Sequence, residues 1–87
     1  MPQQLNAKRR KTLEAIYERP TRSNIRWSDI KGLLLALGGE VRQGRGSREI
    51  VKICGIRYRY HAPHTKETPK YIVDDIRSLL EKLEVIL

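Results

Sequence analysis

The order of local patterns along this chain predicts an α+β fold: helix, helix, three short strands, helix, with a three-stranded antiparallel sheet covered by helices on one face. Three observations carry the prediction. Apolar residues recur at helical spacing around Leu13 and Ile16, around Leu33 and Leu34, and around Ile76 and Leu80. Two β-like runs, residues 47–53 and 56–61, alternate between apolar and basic side chains and are separated by Cys54-Gly55, a pair suited to a tight hairpin turn. With 87 residues the chain suffices for one domain and is too short for two independent cores.

Asn6 is placed to cap a first helix that runs to about Arg19, where Pro20 stops it. Leu13, Ile16 and Tyr17 share one side of it. Lys8, Arg9, Arg10 and Lys11 crowd its first turns, where the helix dipole favours anions. Residues 20–26 read as a polar linker. A second helix starts near Trp27-Ser28-Asp29, with Ser28 or Asp29 as the cap, and Ile30, Leu33, Leu34 and Leu37 form its apolar stripe. Gly38-Gly39 ends it, as a glycine C-terminal cap does.

Residues 40–43 form a short candidate strand. A two-residue loop at Cys54-Gly55 sets the register of the next two: Ile53 faces Ile56, Val51 faces Tyr58 and Glu49 faces Tyr60 on one side. On the other side Lys52 meets Arg57, Ile50 meets Arg59 and Arg48 meets His61. The first set is mostly apolar and belongs under the helices, tyrosines included. The second is basic and belongs in the open. Lys52 opposite Arg57 is a like-charge pair that calls for an anion. A final helix begins at Thr68-Pro69, threonine as cap and proline in the first turn, with Ile72, Ile76, Leu79, Leu80 and Leu83 as its buried stripe.

Composition narrows the partners. The formal charge is +8 and the sequence pI about 10.1, which favours a polyanion over a neutral small molecule. The longest apolar run, residues 33–37, is far shorter than the ~20 residues of a membrane-spanning helix, so no membrane partner is expected. The basic N-terminal stretch has no signal-peptide apolar core after it, and the single Cys54 is compatible with a reducing cytoplasm. Cys54 with His61 and His64 is a poor metal set in an extended, proline-containing segment, so no metal and no cofactor are expected.

The stretch Gly44-Arg45-Gly46-Ser47-Arg48 stands out: two glycines around an arginine let the backbone turn sharply and approach a ligand. A helix ending in Leu-Gly-Gly, a strand, Gly-x-Gly-Ser, a hairpin, Pro63-His64 and a closing helix together resemble the HicA family of bacterial toxins. The resemblance runs from about residue 27 to 86, with residues 1–26 as an added helix and linker within a single domain. It implies a double-stranded-RNA-binding-like α-β-β-β-α fold, endoribonuclease action on mRNA, and neutralisation by a HicB antitoxin. Gly46, Ser47 and Pro63-His64 match the family's pattern. The residue after Gly-Ser is typically a histidine taken as catalytic, and here it is Arg48.

Cutting RNA without a metal requires a base for the 2′-hydroxyl, an acid for the leaving 5′-oxygen and positive charge for the phosphorane. Imidazole serves as acid or base near neutral pH, whereas a guanidinium clamps phosphate but exchanges protons poorly. Arg48 is therefore the electrostatic stabiliser, and His61, directly across from it, is the proton-transfer candidate. Arg45, Gly46, Ser47, Lys52, Arg57, Arg59, His64 and Lys66 are the expected RNA contacts, mainly to phosphate. Two alternatives stay open: a non-catalytic RNA-binding module of the same fold, and a DNA-binding regulator using the two N-terminal helices.

Overall fold

The computed structural model describes residues 5–63 and 65–85. Among them the chain runs α1 (Ala7–Tyr17), α2 (Trp27–Ala36), β1 (Glu40–Gln43), β2 (Arg48–Ile53), β3 (Ile56–His61) and α3 (Lys70–Lys82). The strands form one antiparallel sheet in the order β1-β2-β3. Every β2–β3 pair deduced from the two-residue turn is present, from Ile53 opposite Ile56 to Arg48 opposite His61. Cys54 (φ 50°) and Gly55 (φ 81°) both lie in the left-handed region, as a turn matched to the strand twist requires.

One apolar cluster unites the elements. Leu13 and Ile16 of α1, Ile30, Leu33 and Leu34 of α2, Val51 and Ile53 of β2, and Ile72, Ile76 and Leu80 of α3 are buried in it. The N-terminal helix is thus part of the core. No described helix is long and apolar enough to cross a membrane.

Local chemistry explains most boundaries. Asn6 Oδ1 accepts the Arg9 N–H at 2.8 Å and caps α1. The helix ends at Tyr17, two residues short of Arg19, because a residue before proline is pushed out of the helical region and Glu18 is already extended. At the end of α2, Gly38 has φ 92°, its N–H bonds to Leu35 O, and the Gly39 N–H bonds to Leu34 O. Gly39 is also a contact point: a Cβ there would stand 2.9 Å from Leu34 O and 3.3 Å from Lys52 O. A side chain there would push against the carbonyl at the end of α2 and crowd that of β2, so a residue without one fits this junction.

Three expectations about caps and linkers need correction, for one shared reason. Residues 20–26 are not a free polar linker: Ile25 is buried, its carbonyl accepts the Thr68 N–H at 2.8 Å, and Arg26 bridges to Glu67. The second helix starts at Trp27, as expected, but neither Ser28 nor Asp29 caps it: Arg26 holds the cap position, and the Trp27 N–H donates to Lys66 O at 2.9 Å. Thr68 does not cap α3 either. It is engaged in the same pairing one residue too early, so Pro69 takes the cap position. A long-range backbone pairing has replaced two side-chain caps. The Thr68 hydroxyl and the Trp27 indole N–H are buried without a hydrogen-bond partner among the described residues.

The largest surprise in α3 is Arg77, which is 6 % exposed. Its guanidinium donates to Ile16 O at 2.8 Å, Glu18 O at 3.1 Å, Thr21 Oγ1 at 2.9 Å and Asp74 Oδ1 at 3.2 Å. The last carbonyls of a helix lack internal partners, and this side chain supplies them to α1 from a different helix.

Candidate nucleic-acid interface

Strand alternation sorts the sheet into two faces. Val51, Ile53 and Tyr60 point into the core, with Ile56 and Tyr58 packed against it. Glu49 is on that side too, 6 % exposed, because the Tyr60 hydroxyl donates to its Oε1 at 2.8 Å and Lys31 Nζ lies 3.8 Å from its Oε2. Tyr60 stacks on Tyr58 (5.2 Å between centroids) and meets Trp27 edge-on at 5.0 Å. Burial, and then its hydrogen bond to Glu49, raises the Tyr60 hydroxyl pKa well above its usual range; Tyr58 follows with Asp75. Both stay protonated donors, and both lie on the helix-covered side of the sheet, not on its open face.

The opposite face carries Arg48, Ile50 and Lys52 of β2 with Arg57, Arg59 and His61 of β3. The Ala62 N–H donates to Ser47 O at 2.7 Å, which makes 47 and 62 a hydrogen-bonded pair. Arg48 and His61, one step along, therefore form the non-hydrogen-bonded type of pair, in which facing side chains stand closer. Both are exposed. Ser47 Oγ lies 3.5 Å from His61 Nδ1, so the turn before β2 supplies a polar neighbour to the ring, whose Nε2 has no partner among the described residues.

The β1–β2 register adds two residues. Glu40 stands opposite Lys52 and Arg42 opposite Ile50, which puts both on the open face. Glu40 answers part of the Lys52–Arg57 repulsion, although its carboxylate bonds to Arg42 at 3.3 Å. Arg42 was missed from sequence because a four-residue strand has no turn to set its register; its place two residues from Glu40, beside the basic hairpin, was the available signal. Among the described residues, Arg48, Lys52, Arg57 and Arg59 have no acidic partner.

The remaining expected contacts divide. Arg45 and Gly46 are exposed in the turn beside Arg48, where the Arg48 N–H bonds to Arg45 O at 3.1 Å and Gly46 has φ 60°. Lys66 is exposed but lies outside the ladder, its carbonyl holding the start of α2. His64 falls outside the described residues. Among the described residues no three His, Cys, Asp or Glu side chains cluster together. Comparisons with protein-family models, curated proteins and solved structures find no match to this chain.

Proposed function

We propose that this protein binds RNA across the open sheet face and cleaves it as a metal-independent endoribonuclease, the toxin of a HicA-like toxin–antitoxin pair with a double-stranded-RNA-binding-like fold. The observation that supports this most is the pairing of His61 with Arg48, beside Ser47, within a face holding three further cations that have no acidic partner among the described residues. In this reading the phosphodiester lies across β2 and β3. Lys52, Arg57 and Arg59 anchor flanking phosphates, Arg48 steadies charge on the reacting one, and His61 moves the proton. Four phosphate contacts on this face, at about −0.7 each, contribute near −3 to the log–log salt slope for single-stranded RNA. Fluorescence anisotropy with a labelled oligoribonucleotide measures it. Affinity that does not change between ~50 and ~200 mM salt overturns the reading.

One observation favours a second reading, a non-catalytic RNA-binding module. Arg48 occupies the position where the resembled family usually carries its histidine. Retained binding without any cleavage selects this alternative.

The same face suits an acidic HicB-like antitoxin, whose charge would speed association by steering. The expected complex hides the Arg48 and His61 side chains and stops cleavage. A complex structure that leaves both open to solvent contradicts this part of the proposal.

A further inference from the structure

A second cationic surface lies on the helical side of the molecule, away from the open sheet face. A groove of about 420 Å³ separates α1 from the segment leading into α2. Lys8, Lys11, Arg22 and Arg26 line it against a single carboxylate, Asp29. Lys8 and Lys11 are three residues apart and so project from the same side of α1, about 4.5 Å apart along its axis.

The fold pairs only part of this charge. Lys8 Nζ is 3.7 Å from Asp29, with the lysine side chain 76 % exposed, which is a weak pair. Arg22 is held by Glu18 at 2.9 Å and by Asn24 Oδ1 at 2.9 Å, so its guanidinium is fixed at the groove. Lys11 and Arg26 have no acidic partner among the described residues. Cations in the first turns of α1 also oppose the helix dipole. Their arrangement costs stability. Within the chain Arg9 donates to Gly32 O at 3.0 Å and Lys8 has its weak pair with Asp29, whereas Lys11 has no acidic partner among the described residues to offset that cost.

We propose that this groove is a second nucleic-acid site, in which Lys11, Arg26 and the fixed Arg22 contact phosphates of a strand. Phosphodiester is favoured over an acidic protein by charge density: four cations line the groove against one carboxylate, and a nucleic-acid strand carries a negative charge at every nucleotide. The proposal shares the RNA class with the sheet-face reading but uses a separate surface, so one strand can be held at two points.

The test is a titration of ¹⁵N-labelled full-length protein with a 12-nucleotide oligouridine, in wild type and in an Arg57→Glu/Arg59→Glu variant with its sheet face disabled. The amides of Lys8, Lys11, Asn24 and Arg26 should shift in both proteins. In anisotropy, Lys11→Glu/Arg26→Glu should weaken wild-type binding roughly tenfold and reduce the salt slope by about 1.4, or about 0.7 per lost contact. Shifts confined to the sheet overturn the groove alone. Shifts confined to the groove overturn the sheet-face reading alone. No shifts anywhere in wild type overturn both. Groove shifts with a 12-residue oligoglutamate and none with oligouridine replace the nucleic-acid ligand by an acidic protein and overturn the proposal as stated.

Discussion

His61→Ala should cleave RNA about 10²- to 10⁴-fold more slowly than wild type, the size of help a positioned general acid–base gives. Its RNA affinity should barely change, because Arg48, Lys52, Arg57 and Arg59 carry the phosphate attraction of this face. The geometry explains why the loss falls on rate. His61 is exposed at the end of β3, faces Arg48 across a close strand pair, and has Ser47 Oγ 3.5 Å from its Nδ1. Arg48→Ala should lower rate and affinity together, since the guanidinium attracts substrate and transition state alike. Ser47→Ala removes only the neighbour of the ring and should cost less rate than His61→Ala. The measurement is single-turnover cleavage of a labelled RNA in EDTA, with all proteins purified identically. Equal rates for His61→Ala and wild type take His61 out of the mechanism. Bound but uncut RNA in every sample leaves the RNA-binding module.

The largest expected effect on stability is at Arg77, which belongs to neither set of proposed phosphate contacts. Arg77→Ala removes four hydrogen bonds and leaves the Ile16 and Glu18 carbonyls without that donor. Charge-assisted bonds and abandoned buried acceptors together suggest a loss of about 2–4 kcal/mol. For a domain of this size that is a large share of a total of roughly 4–13 kcal/mol. Each 1 kcal/mol corresponds to roughly 4–8 °C in Tm. Arg77→Lys keeps the charge but cannot span carbonyls on one side and Asp74 on the other, so it should fall between alanine and wild type. Asp74→Ala should cost less, because Asp74 is half exposed and only one of the four acceptors. Thermal unfolding followed by circular dichroism checks the order. A Tm for Arg77→Ala within about 2 °C of wild type, less than the shift expected from 1 kcal/mol, refutes a structural role for this arginine.

Arg77 also shows where sequence reading stops. The helical pattern of Ile72, Ile76, Leu79 and Leu80 marked the buried side of α3, and that side is buried. Arg77 lies four residues after Val73 and three before Leu80, inside the same stripe, yet its residue type argued for the surface. Only the open end of α1, brought alongside by the fold, gives the guanidinium enough acceptors to be buried. The candidate site divides in the same way. Arg48, Lys52, Arg57, Arg59 and His61 were legible as one face because the two-residue turn at Cys54-Gly55 counts their register outward. Arg42 and Glu40 were not, since β1 joins β2 through a longer turn.

What the sequence determined by itself is what depends on near neighbours along the chain. The helices follow from apolar spacing, the end of α2 from Gly38-Gly39, the hairpin from a turn that only certain backbones make, and the basic face from alternation along two strands. The tertiary structure decided whatever depends on segments far apart in the chain meeting. It paired residues 25–27 with 66–68 and so displaced the caps expected from Ser28, Asp29 and Thr68. It set Glu40 beside Lys52 and closed Arg77 over α1. It also opened the groove between Lys11 and Arg26. Local preferences of a few tenths to one kcal/mol per residue choose an element's type, but which polar groups find partners is settled only by the packing that removes water from them.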